Sequence, residues 1–507
     1  MGLINFAAFL GVEKGAYITG MTTSDDLFRL IKSLNKNEKS YFKKFAQLHI
    51  LGEENTYILL FDAVDAQEKY SEKALIETFG RGKSSSQFSV LKNYLYNLIL
   101  KSLRVYHADA SIRSELKAQL QNVSILFEKG LHAQAQKLLR RCRKTAEEAE
   151  LFREWIEISG LEQTMLLFGK SYDTGTIKAM NAMLVERGLV LRKMQNTYDY
   201  DRLEYNLTSL LQAAGPSSKA GVKKILSHAL LKSEKQALCV VSQLKFHHIL
   251  STFYYYNGKA RECTQHLQQE LNILEAHPPI LNLRMQDYVL LTNNLLLLLL
   301  ELGDCKNFDV RLSKFRGQLA TLKPSTRLWE QAIAHNWITE MLRHYKEFNY
   351  AKILAASNNL KAHLKANKAE LNLYDNFQHL DLLSRAALQS AKAAEALSYN
   401  LELLNHPEAP KKFKNYPFAR LLNLMIHFEL GNYDLLSYSI PPFQRQMAKG
   451  RAELLFTSII SFLKKYPSAT HRKHRIQLAG KLLNELKKTP PNRYFDFVKW
   501  AETKVQH

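Results

Sequence analysis

Proline is scarce in this chain of 507 residues: there are 12, and the first is Pro216. Proline removes a backbone donor and breaks helices. A long opening without it, rich in Leu, Lys, Glu, Gln and Ala, excludes a turn-rich fold and reads as helix after helix. Glycine is also thin, at 20 residues. The four cysteines, Cys142, Cys239, Cys263 and Cys305, are widely spaced with no C-x-x-C pair. That is a reduced, cytosolic pattern rather than a disulfide framework. No strand-like alternation of useful length occurs. The greasiest segment, residues 290–302, is interrupted by Thr292, Asn293 and Asn294. It falls short of the ~20 apolar residues a membrane span needs, so it is expected to be a buried helix, and no membrane insertion is expected.

What is present is apolar content of 46%, with 10% aromatics, ample for a packed core. The formal charge of +22 favours acidic partners such as nucleic acid or acidic protein surfaces and says nothing of fold. The surplus sits at the C-terminal end, where residues 441–507 carry 14 Lys/Arg against 4 Asp/Glu. Residues 21–107 carry 13 against 10. Residues 1–20 have no basic flank before their short apolar run, a poor secretory signal. They are expected to be a flexible leader or a mis-assigned start, because Met21 and the capping candidates Ser24 and Asp25 form a better beginning.

A period runs along the chain. Apolar segments end in a turn residue followed by a new helix at Gly130, Gly169, Gly215, Gly258, Gly303, near Phe348, near Ser390 and at Gly431, with a mean gap of 43 residues. A helix that ends in a left-handed residue avoids a side-chain clash when that residue lacks Cβ. Two helices and two connections fill such a period. Pro278-Pro279, Pro324, Pro441-Pro442 and Pro490-Pro491 are expected between the helix pairs. No pair hides its core alone, but stacked neighbours do. The predicted fold is all-α: a small helical module over residues 21–115, then an α-solenoid over 116–507 with a basic end.

The turn phrase G-x-[Y/H]-x-x-[small] resembles that of tetratricopeptide repeats, in "GLHAQA" with Ala135, "GKAREC" with Cys263 and "GNYDLL" with Tyr433. Phe308 and Leu436 put bulk at the small position, and the family repeats at a shorter period. The resemblance implies a right-handed α-α superhelix whose first helices line a concave face that holds a protein or peptide partner. Carried onto the helix before Gly258, the family's contact positions are Lys245, His248, Thr252, Tyr255 and Tyr256. Before Gly303 they are Leu290, Asn293, Leu297, Leu300 and Glu301, and before Gly431 they are Phe418, Leu421, Met425, Phe428 and Glu429.

The N-terminal module reads as helices at 24–34, 37–50, 55–67, 72–79 and 87–107. Between the last two lies "GRGKSSSQ", whose Gly-Lys-Ser suggests a phosphate loop. Such a loop needs a glycine five residues before Gly82, after a strand; the residue there is Glu77, and the segment before it is helical. Ser84-x-x-Gln87 instead makes a capping box that opens the next helix. A helix-turn-helix reading would set 87–107 in a major groove, with Arg81, Lys83, Lys92, Lys101 and Arg104 on phosphates and Asn93 and Asn97 on adenine edges.

H-E-x-x-H, G-x-S-x-G and G-x-G-x-x-G are all lacking. Cys263 and His266 share a helix face, but Cys263 occupies the packed small position of its turn. His471-x-x-His474 has a metal-like spacing, yet Arg472, Lys473 and Arg475 repel a cation, so the stretch reads as basic surface. Residues 140–150 read as a self-neutralised solvated helix. The expectation is a cytoplasmic, non-catalytic scaffold or adaptor without metal or cofactor. The second reading is a nucleic-acid-associated regulator using Lys92, Lys101 and Arg104, or Arg472, Lys473 and Arg475.

Overall fold

The computed structural model describes residues 25–48, 56–79, 85–107, 111–168, 173–213, 216–321, 327–347, 349–367, 370–448, 454–488 and 495–506. Among these are 25 α-helices and no strand. The leader, Gly169, Gly215, Phe348, Pro324, Pro490-Pro491 and the stretch 80–84 with Arg81, Gly82, Lys83 and Ser84 lie outside the described residues. The chain divides into two units, Met1–Asn257 with Asn272–Arg284, and Gly258–Leu271 with Met285–His507.

The first unit opens with α1 (Asp26–Ser33), α2 (Lys36–Gln47), α3 (Thr56–Ala66), α4 (Glu72–Phe79) and α5 (Ser85–Tyr106), at the five places the sequence predicts. Leu27, Ile31, Phe42, Phe61, Leu75, Phe88, Leu95 and Ile99 meet in one buried cluster. Each such side chain contributes about 1.5–3 kcal/mol by leaving water. A capping box starts α2: Asn35 Oδ1 accepts from the N–H of Asn37 and Glu38, and Glu38 returns the bond to the Asn35 N–H.

Next come α6 (Ile112–Glu128), α7 (His132–Glu148), α8 (Phe152–Leu167), α9 (Thr174–Gln212), α10 (Pro216–Leu226), α11 (Val240–Tyr256), α12 (Ala260–Ala276) and α13 (Pro278–Leu283). The α6–α7 hairpin turns at Gly130, whose φ is +73°. The Gly130 N–H donates to the carbonyl of Phe127 (3.0 Å) and the Leu131 N–H to that of Leu126 (2.9 Å), the paired bonds that close a helix through a left-handed residue. Between Gly169 and Gly215, where the period calls for two helices and a connection, α9 instead runs unbroken for 39 residues. It contains no proline, and one glycine in its interior is too weak a breaker to end it. Asp173 caps its start, accepting from the Thr176 N–H at 2.7 Å. Tyr200, Leu203 and Leu207 pack it against the segment leading into α11.

The second unit takes the first part of α12 and continues through α14 (Met285–Leu302), α15 (Cys305–Thr321), α16 (Arg327–Lys346), α17 (Tyr350–Asn367), α18 (Leu373–Gln389), α19 (Ala393–Leu404), α20 (Ala409–Lys412), α21 (Tyr416–Glu429), α22 (Tyr433–Ala448), α23 (Leu454–Lys465), α24 (Arg472–Lys487) and α25 (Phe497–Gln506). The same paired closing bonds recur at Gly303 and Gly431, and at Ala391, one residue past the predicted Ser390. Gly258, Gly303 and Gly431 all have φ between +68° and +74°, and Ala391 takes +58° despite its Cβ. Residues 290–302 lie in α14, and most of those up to Leu300 are buried, as expected, while Glu301 and Leu302 at its end are exposed. Pro441 and Pro442 depart from expectation: they lie inside α22 rather than between pairs. Ile440 and Phe443, on either side, are buried in the large C-terminal core with Leu436, and that burial offsets the lost backbone bonds.

Candidate partner-binding surface

The residues marked on α11 follow from how that helix is seated. Its N-terminus is capped from a distant part of the first unit by Glu150, and its flank faces α9. Lys245 Nζ lies 2.5 Å from an Asp201 carboxylate oxygen and 3.0 Å from Glu204. His248 Nε2 lies 3.8 Å from the other oxygen of Glu204. Burial would raise the Glu204 carboxyl, but His248 and Lys245 outweigh it and hold it below the usual range. Burial would likewise lower Lys245, and Glu204 and Asp201 hold it above its ordinary value. The two residues therefore share one face, and that face clamps α11 onto α9. Thr252 and Tyr255 are half-buried, and Tyr256 at the helix end is exposed. On α14 and α21 the corresponding positions Leu290, Asn293, Leu300, Phe418, Leu421, Met425 and Phe428 are core.

The basic candidates separate in the same way. Lys92 is ion-paired to Glu72, tying α5 to α4, and its ammonium lies over the Phe88 ring. Lys101 and Arg104 stand in solvent on α5. Asn93 and Asn97 are also exposed, and Asn97 donates to the Asn93 side chain at 3.1 Å. On α24, Arg472 and Lys473 are exposed in the first turn. Arg475 Nε donates to the Ala469 carbonyl at 2.8 Å, and its guanidinium lies over the Tyr466 ring. Lys92 and Arg475 hold helices together, while Lys101, Arg104, Arg472 and Lys473 face outward.

Three features escaped the sequence reading. Residues 140–150 are not merely a solvated helix: Arg143 reaches Glu147, Glu162 and Glu186 at 3.0, 2.7 and 2.6 Å, joining α7, α8 and α9. The second unit buries a polar seam, in which His335 pairs with Asp375 and Ser357 with His379, each at 2.8 Å, and Asp381 pairs with Arg385. Ser357 with His379 has the outline of a nucleophile and base. Burial, with Lys361 adding to it, pushes the His379 imidazole down to about 4, well below the value near neutrality that suits a general base. Burial also pushes the Cys263 thiol up to about 12, which leaves it inert as a thiolate. The third feature is on α9. Ile177, Leu184, Leu191, Tyr198 and Tyr205 recur every seven residues and are each 44–71% exposed.

Among the described residues no helix is long and apolar enough to cross a membrane, and no group of three His, Cys, Asp or Glu is placed to hold a metal ion. The chain matches no protein-family model, and no curated protein or solved structure is significantly similar to it.

Proposed function

We propose that the protein is a non-catalytic helical-repeat scaffold, an adaptor in the cytoplasm whose helix pairs wind in a tetratricopeptide-like right-handed superhelix around a protein or peptide partner. One observation carries this reading: reactive side chains lie in the interior while large apolar ones lie in solvent. Ser357, His379, His335, Asp375 and Cys263 are buried, and the first four form two hydrogen-bonded pairs, Ser357 with His379 and His335 with Asp375. Tyr256, Tyr205 and Tyr438 are exposed on helix surfaces. Helix stacks of this kind offer extended surface rather than chemistry, and exposed aromatic side chains are what protein interfaces select. On α11 the receptive part is the Thr252–Tyr256 end, since Lys245 and His248 are engaged by α9. The test is affinity purification of the full chain from its native cell, with and without nuclease, beside a Tyr256→Glu variant. A stoichiometric protein that survives nuclease and is lost from the variant supports the scaffold. No retained protein, together with a turnover activity in the purified chain, overturns it.

A nucleic-acid-associated regulator is the second reading, and the first turn of α24 favours it. That turn carries Arg472 and Lys473 and no acidic residue. Cations at the positive end of a helix dipole are electrostatically uphill, and a bound phosphate reverses the sign. A salt-dependent shift of labelled RNA or DNA, lost on Arg472→Glu with Lys473→Glu, supports this reading. No shift at low salt disposes of it.

A further inference from the structure

One carboxylate of the second unit serves α25 alone. Glu429, at the end of α21, accepts from the Trp500 indole N–H at 2.6 Å through one oxygen and from the Lys504 ammonium at 2.6 Å through the other. Among the described residues it has no other hydrogen-bond or ion-pair partner. The rings repeat the arrangement. Phe497 meets the Phe418 ring edge-on at 6.2 Å, and Trp500 meets Phe428 at 6.1 Å and Phe462 at 5.8 Å. Phe418, Phe428 and Glu429 are among the positions that the sequence marks on α21 as partner contacts. The chain's own α25 fills them.

The same segment reaches beyond α21. The Asp496 carbonyl accepts from Gln389 Nε2, at the end of α18, at 2.9 Å. The Lys499 ammonium lies 5.9 Å from the centre of the Tyr350 ring on α17. Residues 496–504 therefore touch three successive helix pairs, α16–α17, α18–α19 and α21–α22. A helix that only closed the last pair would need its neighbours α23 and α24. It uses these too, through Phe462 and a Lys487–Glu502 pair at 3.4 Å, but its shortest polar contacts go to the earlier pairs. Pro490 and Pro491 precede it, so α24 cannot run on into it as one helix. With ten residues, α25 is too short to persist as a helix by itself in water, and its helicity depends on this seat.

We propose that α25 is an internal ligand: it holds the α21 surface closed, and a partner helix of the same chemistry takes its place. Such a helix carries a large aromatic side chain for the Phe428 and Phe462 rings and a cation one turn further on for Glu429, as Trp500 and Lys504 do. Two donors on one carboxylate favour a basic partner and fix its direction, and the rings supply contact area. The exchange trades one bound helix for another. The proposal rests on the scaffold reading and deepens it by naming the partner's chemistry.

Two measurements on the full chain test it. Hydrogen exchange on the parent needs no variant: the amides of α25 should exchange at least a hundredfold faster than those of α21, in an opening of their own. Exchange of α25 in step with α21 overturns the proposal, because the helix is then part of an indivisible core. The second measurement uses a fluorescent peptide of residues 489–507. It should bind a full chain carrying Trp500→Ala and Lys504→Glu at least tenfold more tightly than the parent, whose own α25 competes. Adding Glu429→Gln to that opened chain should weaken the peptide at least tenfold, and a peptide with Trp500→Ala should not bind. Equal binding to both chains, binding to neither, or an opened chain without a cooperative melt overturns the proposal. The two readings fail separately. A chain that ignores the peptide but keeps a Tyr256-dependent partner retains the scaffold and loses the latch, and peptide binding in a chain with no cellular partner does the reverse.

Discussion

The carboxylate of Glu150 caps Val240 and the start of α11 from ninety positions earlier in the chain: one oxygen accepts from the Val240 N–H at 2.9 Å, the other from the Val241 N–H at 2.8 Å. Two donors that the helix itself leaves unbonded are satisfied by one anion at the positive end of the helix dipole. Glu150 is held for this purpose in a left-handed backbone conformation, φ +49°, as it ends the α7 helix. Function of the cap and strain of the turn therefore meet in one residue. Glu150→Ala removes the cap and keeps the strain, and should cost about 1–2 kcal/mol. Glu150→Gly also loses the cap but relieves the backbone, and should lie above the alanine variant by up to about 1 kcal/mol. Denaturant titration of both variants checks the order; an alanine variant equal to the parent would sink the capping account.

Glycine substitutions should split by backbone conformation alone. Gly130 and Gly160 both have open space where a Cβ would stand, but Gly130 is left-handed at φ +73° and Gly160 lies within α8. Gly130→Ala is expected to lose about 1–2 kcal/mol, the left-handed penalty of an L-residue. Gly160→Ala is expected to gain up to about 1 kcal/mol from helix propensity and a less disordered unfolded chain. Thermal melts of the pair, moving in opposite directions, are the readout.

The helix ends were legible because a left-handed residue makes a demand that one side-chain-free amino acid meets best. Gly130, Gly258, Gly303 and Gly431 advertise that demand, whereas Ala391 and Glu150 meet it under strain and carry no such signal. The length of α9 was hidden because flanking glycines suggested a regular period that no breaker inside the segment enforced. Lys245 and His248 were read as partner contacts, but Asp201 and Glu204, which engage them, lie more than forty positions away in a different helix. The Ser357–His379 pair has no local signature at all. The stripe on α9 is the reverse case: its interval is plain in the letters, and only the packing of its neighbours shows that it faces water.

Arg143 should resist replacement by lysine. Its Nε, Nη1 and Nη2 each serve a different carboxylate, those of Glu147, Glu162 and Glu186, while its plane lies over the Trp155 ring at 5.0 Å. A single ammonium cannot reproduce that fork. The site is partly screened, so Arg143→Met should cost about 1–2 kcal/mol, between values for exposed and enclosed pairs. Adding Glu162→Gln removes the half-buried charge left behind and should recover part of the loss, a coupling visible in a double-mutant cycle. Additive losses in that cycle would show that Arg143 and Glu162 are not coupled.

Acid should weaken the second unit through His379. Its imidazole is buried beside Ser357, and burial, with Lys361 adding to it, pushes its pKa from 6.5 down to about 4. An unfolded chain therefore takes up this proton near the ordinary value, while the folded chain resists until about 4. Between those limits the unfolded state binds more protons, so stability falls as the pH is lowered through the window and the loss is complete near its lower end. A shift of this size corresponds to about 3 kcal/mol. Other groups titrate over the same range, so the informative quantity is the difference between the parent and His379→Gln, which carries no imidazole to charge. Urea midpoints measured at neutral pH and again near pH 4.5 should converge as the parent loses its advantage. Parallel pH curves for the two proteins would show that His379 is not held neutral by its surroundings.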